Sequence, residues 1–221
     1  EAVCNHLHLQ KTQVRVGVLC MAIEVDLMPA EAFVKEQSAK GRVASVAGFR
    51  VFRPQPHELF MPATYEDVLR FVYQDFDDPR TLHVSGGEPP GEVARTLLAE
   101  QVFSFASVAR VSVNSLGRDF AETFSALEFR LRGQGTHLVQ VWLKLTDPGV
   151  GWATEQLRRK GYFLCGALPR WFVEGDGLLM AKTFARPHWE GIQLYSDRAK
   201  QLLEHIRSDW ERTRDMGEKT S

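Results

Sequence analysis

The sequence predicts an α/β (α+β) chain in which a mostly antiparallel central sheet is flanked by helices. Three observations predict it. The composition, 44% hydrophobic and 25% charged over 221 residues, is that of a globular domain and excludes disordered, collagen-like and disulfide-dense chains. Segments that alternate with period two are interleaved with segments of helical spacing. Two pairs of β-rich segments meet at turn signals, Ala106-Ser107 and Glu174-Gly175-Asp176-Gly177, and read as hairpins. A chain of this length buries roughly 70% of its unfolded surface, so it needs no metal or disulfide to hold a core.

Residues 1–16 (EAVCNHLHLQKTQVRV) read as the interior of a helix with no capping residue and no leader, so the chain is expected to start inside a longer polypeptide. Val18–Val25 is an apolar strand ended by Met28-Pro29, and residues 30–40 are a short polar stretch with helical residues. Arg42–Arg53 alternates as a second strand, stopped by Pro54 and Pro56. Pro54–Pro62 is a connection with one extended piece, His57–Met61. Thr64 and Asp67 approximate a capping box for a helix with the apolar stripe Val68, Leu69, Val72 and Tyr73. Ser85–Gly91 is a turn cluster.

The first hairpin pairs residues 94–105 with Val108–Asn114. Arg118–Arg132 follows with Phe120, Phe124, Leu127 and Leu131 at helical spacing. Thr136–Leu145 alternates strictly, with Val139, Val141, Leu143 and Leu145 forming one apolar face. Val150–Lys160 is a helix capped by Gly161, and its Arg158–Lys160 run reads as a solvated end. Tyr162–Phe172 and Gly177–Phe184 form the second hairpin. A terminal helix, Tyr195–Met216, turns Ala199, Leu202, Leu203 and Ile206 inward, with Trp189 and Trp210 as docking anchors and a frayed end after Gly217.

The 27 basic and 28 acidic side chains leave a net charge of −1, which argues against a nucleic-acid partner. No stretch reaches membrane-spanning length and no signal peptide is visible, so a cytoplasmic, soluble protein without a membrane partner is expected. Cys4, Cys20 and Cys165 are too scattered for a zinc motif and read as small buried hydrophobes. The seven histidines have no ligand spacing, so no metal is expected. The most distinctive local string is Pro169-Arg170-Trp171-Phe172, where Arg170 and Trp171 are candidate substrate-binding residues at a ligand mouth. The competing expectation is a kinked strand edge with Trp171 packed on the terminal helix.

Two segments repeat one order of parts. A helix ends at Gly17 or Gly161, a strand carries Leu19-Cys20 or Leu164-Cys165, and a second strand ends at Arg53-Pro54 or Arg186-Pro187. This divides the chain into residues 1–54, the closing part of a first module, 55–187, a fuller copy, and 188–221, a helical extension.

The order of Val108–Asn114, the helix from Arg118, Thr136–Leu145, Ala153–Phe163 (ATEQLRRKGYF) and the final hairpin resembles the GNAT acyltransferase superfamily. The resemblance implies a mixed, GNAT-like sheet split by a splayed pair of strands, into which the pantetheine arm of acetyl-CoA or another acyl-CoA inserts. It implies cofactor contacts at Val111, Val113, Asn114, Leu116, Gly117 and Arg118. Two departures stand out. The family's pyrophosphate loop carries two glycines before a helix N-terminus, where backbone N–H groups hold the anion. Here the corner Asn114–Asp119 has one glycine, and the matching letters Arg130–Gly135 leave a helix as a C-cap. The place of the family's tyrosine acid is Leu157, with Tyr162 nearby at a strand start.

Three functions follow as expectations: an acyl-CoA-dependent N-acyltransferase with no identified catalytic residue, a catalytically degenerate sensor or interaction domain of a larger protein, and a homodimer built by pairing sheets along Arg42–Arg53 or Leu178–Phe184. Phe120 and Trp142 are the side chains expected to plug the splay.

Overall fold

Alternation and helical spacing resolve into ten strands and five α-helices in a computed structural model that describes residues 1–33, 41–91, 95–173 and 175–218. Eight strands form one sheet: β1 (Ala2–Val3), β2 (Leu19–Pro29), β3 (Arg42–Phe49), β6 (Leu97–Phe103), β7 (Val108–Ser115), β8 (Leu138–Lys144), β9 (Phe163–Phe172) and β10 (Gly175–Thr183). Their order is β1-β3-β2-β9-β10-β8-β7-β6, antiparallel at every step except the parallel neighbours β7 and β8. A separate parallel pair, β4 (His57–Pro62) and β5 (Arg80–Ser85), lies beside it. The helices are α1 (His8–Arg15), α2 (Glu66–Tyr73), α3 (Phe120–Gly133), α4 (Val150–Arg159) and α5 (Asp197–Glu218). Among the described residues no helix is long and apolar enough to cross a membrane.

The units α1-β2-β3 and α4-β9-β10 meet where β2 and β9 run antiparallel and bridge at Ala22 and Gly166. Each helix is followed by a glycine with left-handed backbone, Gly17 at φ 74° and Gly161 at φ 85°. Gly166 has φ 125°, and a Cβ there would lie 2.4 Å from the Met21 carbonyl oxygen. The seam between the two units therefore requires glycine.

The sheet is strongly curled. Glu24 on β2 and Gln140 on β8 are separated by β9 and β10, which is about 14 Å in a flat sheet. Gln140 Nε2 nevertheless donates to Glu24 Oε1 at 2.9 Å, and Arg110 on β7, one strand further, reaches the same oxygen at 3.0 Å. Small residues line the inside of the bend, since Ala181 is the partner of Gln140 and Gly166 that of Leu179 and Ala22. The opposite face of β7 and β8 presents Val113 and Leu143 to Val150 and Ala153 of α4.

Several expectations change. Residues 1–16 are not one helix: Ala2 and Val3 pair with β3, and helix begins at His8. Thr64 does not cap α2; it lies in a 3₁₀ turn and its hydroxyl donates to Glu155 on α4 at 2.5 Å. Residues 30–33 form a 3₁₀ turn, and the rest of the stretch expected to be helical, 34–40, lies outside the described residues. So do residue 94 of the first hairpin, residue 174 of the second turn and the tail at 219–221. Arg158 is buried, not solvated. Its Nη1 donates to Asp209 and to the Tyr65 hydroxyl, while Asp209 Oδ2 also accepts from Tyr65 (2.6 Å) and the Leu164 amide (2.8 Å), tying α4, α5 and β9 together.

The sheet edges also differ from expectation. Leu178–Thr183 of that stretch falls in β10, in the middle of the sheet, and β3 is paired with β1 at Ser45 and Val46, with the Cys4 amide donating to Ala44 and the Gln193 amide to Cys4. The open rim is β6, whose Leu97 is 61% exposed, followed by Phe105 at 71%.

Candidate functional site

The parallel strands β7 and β8 are bonded from Val108 opposite Leu138 to Ser112 opposite Trp142, and no further. Beyond that point β7 stays with β6 through Ser115, while Leu143 and Lys144 of β8 stay with β10. The two strands thus part at their C-terminal ends. The opening is filled: Val113, Leu116, Leu143, Lys144, Asp147, Val150 and Ala153 leave about 10 Å³. Leu116 is one of these side chains, its Cδ2 lying 3.0 Å from where a Cβ on Gly149 would sit. Phe120 is fully buried but is not among the side chains lining this space, and neither is Trp142.

The structure brings Val113, Leu116, Gly117 and Arg118 to one corner, with Val111 buried below it and Asn114 exposed. The corner's polar groups are engaged within the chain. The Gly117 amide donates to Thr96 Oγ1 at 3.1 Å, and Arg118 Nε to the Pro90 carbonyl at 3.0 Å. Asp119 Oδ1 accepts from the Thr96 amide at 2.9 Å, and bonds from Thr96 hold its carboxyl below the usual range. A carboxylate at the start of α3 opposes an incoming phosphate. The start of α4 is closed too. Ser85 Oγ accepts from the Gly151 amide at 3.0 Å, and a Cβ on Gly151 would lie 2.3 Å from the Gly86 carbonyl oxygen.

Leu157 of α4 is buried and apolar. Tyr162 is fully buried against Phe124 (centroids 5.4 Å), and burial, with Glu128 beside it, pushes its phenol well above the ordinary value. The three cysteines are buried; burial raises Cys4 and Cys20 to about 12 and raises Cys165 as well.

Arg170 and Trp171 go separate ways. Arg170 takes a left-handed backbone (φ 56°), its amide donating to Asp176 Oδ1 at 2.9 Å. Its guanidinium donates to Asp78 Oδ2 (2.9 Å) and the Arg53 carbonyl (2.6 Å), at the half-buried edge of an ion network. In that network Asp176 accepts from Arg80 Nε and the Tyr73 hydroxyl, both at 2.9 Å, with His57 Nε2 at 3.2 Å. Arg80 also pairs with Asp78 at 3.0 Å. Burial acts to raise Asp78, but bonds from Arg80, the Gln55 amide and Arg170 outweigh it and leave the carboxyl lowered. Trp171 packs not on the terminal helix but on Trp142, the last bonded residue of β8 before the strands part, with Arg110 5.2 Å from its ring.

The sequence reading missed the group Glu24, Arg110 and Gln140 inside the curl. Its one signal was a lone carboxylate in the apolar run Val18–Val25. Burial, then the charge of Glu1, push the Glu24 carboxyl up, against the opposing effects of Gln140 and Arg110. Comparison with protein-family models, curated proteins and solved structures returns no match for this chain.

Proposed function

We propose that this chain is a GNAT-like module that serves as a sensor or interaction domain and does not transfer acyl groups. The kinship rests on the resemblance in element order together with a mixed sheet whose one parallel pair, β7 and β8, parts after Ser112 and Trp142. The observation that carries the loss of catalysis is the filled splay: about 10 Å³ is room for about one water molecule and too little for a pantetheine arm. Two further facts agree with it. Arg118 Nε donates to the Pro90 carbonyl and Asp119 accepts from the Thr96 amide, so an anion at this corner meets a carboxylate beside the one guanidinium. Leu157 has no proton to give a leaving thiolate, and the raised Tyr162 phenol is sealed in the core.

Calorimetric titration of acetyl-CoA into the wild-type chain and into Arg118→Glu tests this. The two isotherms are expected to coincide, and thiol release in the presence of amines is expected to stay at the uncatalysed rate. Turnover above that rate overturns the proposal in favour of an acyltransferase, and heat that Arg118→Glu abolishes overturns the argument that the splay excludes acyl-CoA.

A further inference from the structure

At the other end of the sheet, where β8 begins and Thr183 of β10 faces Leu138, lies an open cleft of about 370 Å³. Phe184 and Trp210 line it with ring surface, with the fully buried Phe163 behind them, and four cations, Arg132, Lys160, Lys182 and Arg214, stand around them. The cations come from the ends of α3, α4 and α5 and from β10. Arg132 lies 5.8 Å from the Phe184 ring centroid, Lys182 5.4 Å from the same centroid, and Arg214 5.2 Å from that of Trp210.

Cations at helix C-termini often offset the helix dipole by bonding the last carbonyls. These four make no such bond among the described residues. Among the described residues they pair with two carboxylates: Glu128, shared by Lys182 (2.9 Å) and Lys160 (3.8 Å), and the exposed Asp215, 3.4 Å from Arg214. Arg132 has no carboxylate partner among the described residues. Thr183 also lines the cleft, and its Oγ1 has no hydrogen-bond partner among them. The cleft thus combines ring surface, a surplus of positive charge and two guanidinium groups able to fork onto phosphate oxygens. Its volume falls within the roughly 300–1,000 Å³ usual for small-molecule sites.

From this we infer that the cleft binds a small molecule that joins a flat ring to phosphate, of the nucleoside diphosphate class. The ring lies on the aromatic floor and the phosphates engage Arg132, Lys182 and Arg214. The inference goes beyond the proposed function, since it needs neither the strand splay nor Arg118.

Calorimetric titration with ADP, adenosine and inorganic pyrophosphate tests it. ADP is expected to bind at least about tenfold tighter than either fragment, and Arg132→Glu and Lys182→Glu each to weaken it by about tenfold or more. Arg118→Glu is expected to leave ADP binding unchanged, which separates this site from the strand splay. Glu128→Gln, which releases Lys160 and Lys182 from their shared carboxylate, is expected to tighten ADP binding, a gain that misfolding cannot imitate. Absence of ADP binding to the wild-type chain, equal binding of pyrophosphate alone, or indifference to all three cleft substitutions overturns the assignment.

Discussion

Trp171 lies flat on Trp142, ring centroids 3.7 Å apart and planes 11° from parallel. The left-handed backbone at Arg170 precedes this stack, and Gly177 leaves room for it, since a Cβ there would lie 2.8 Å from Trp171 Cβ and 2.9 Å from Trp142 Cε3. Replacing the two tryptophans by leucine, singly and together, is expected to return a coupling of about 0.5–1.5 kcal/mol in urea melts. Strict additivity would show that the stack contributes nothing beyond burial.

Asp176 joins three elements, because Arg80 of β5, Tyr73 of α2 and the Arg170 amide of β9 all donate to it. Asp176→Asn leaves the Arg80 guanidinium short of charge in a buried place, and a loss of about 3–5 kcal/mol is expected from the urea midpoint. Asp78 adds a pH signature. Its carboxyl is lowered from an ordinary value of 3.8, so its contribution is complete above that value and disappears as pH falls through the lowered one. Acid melts of Asp78→Asn are expected to lack that segment of the wild-type curve.

Glu24 has the opposite sign. A buried carboxyl raised above 4.5 keeps its proton in the folded chain after the unfolded chain has lost it. Stability therefore falls as pH rises from 4.5 through the raised value and is level above it. Glu24→Gln is expected to flatten this part of the stability profile; an unchanged slope would assign it to another group.

Gly166→Ala places a methyl group against the Met21 carbonyl at a backbone angle that alanine avoids. The conformation alone costs about 1–3 kcal/mol, and the contact adds to it by prising β2 from β9. The variant is expected to melt well below the wild type, with amide exchange accelerated first along the β2–β9 seam. An unchanged melting temperature would contradict the close approach of the two strands.

The elements were legible where one periodicity ruled. Phe120, Phe124, Leu127 and Leu131 at helical spacing are the buried stripe of α3, and Val68, Leu69, Val72 and Tyr73 that of α2. Thr136–Leu145 alternates, yet Gln140 and Trp142, on the face opposite the apolar one, are buried as deeply as Val139 and Val141, because the sheet curls over them. Curvature is a property of eight strands together and leaves no mark on one. The parallel pair β4 and β5 was half seen: Arg80–Ser85 carries polar residues at Thr81 and His83 and passes for loop until His57–Pro62 pairs with it. Arg158 looked like a solvated helix end because Asp209, its partner, is 51 residues away. The corner at Asn114–Asp119 follows from element order, but its bonds to Pro90 and Thr96 join it to residues more than twenty positions earlier in the chain.

The uncovered β6 strand gives the molecule a place to grow. One rim of the great sheet is sealed by Cys4, Ala44 and Gln193, and the other lies bare from Leu97 to Phe103. Two copies that joined strand to strand along β6 would bury that rim in a head-to-head union.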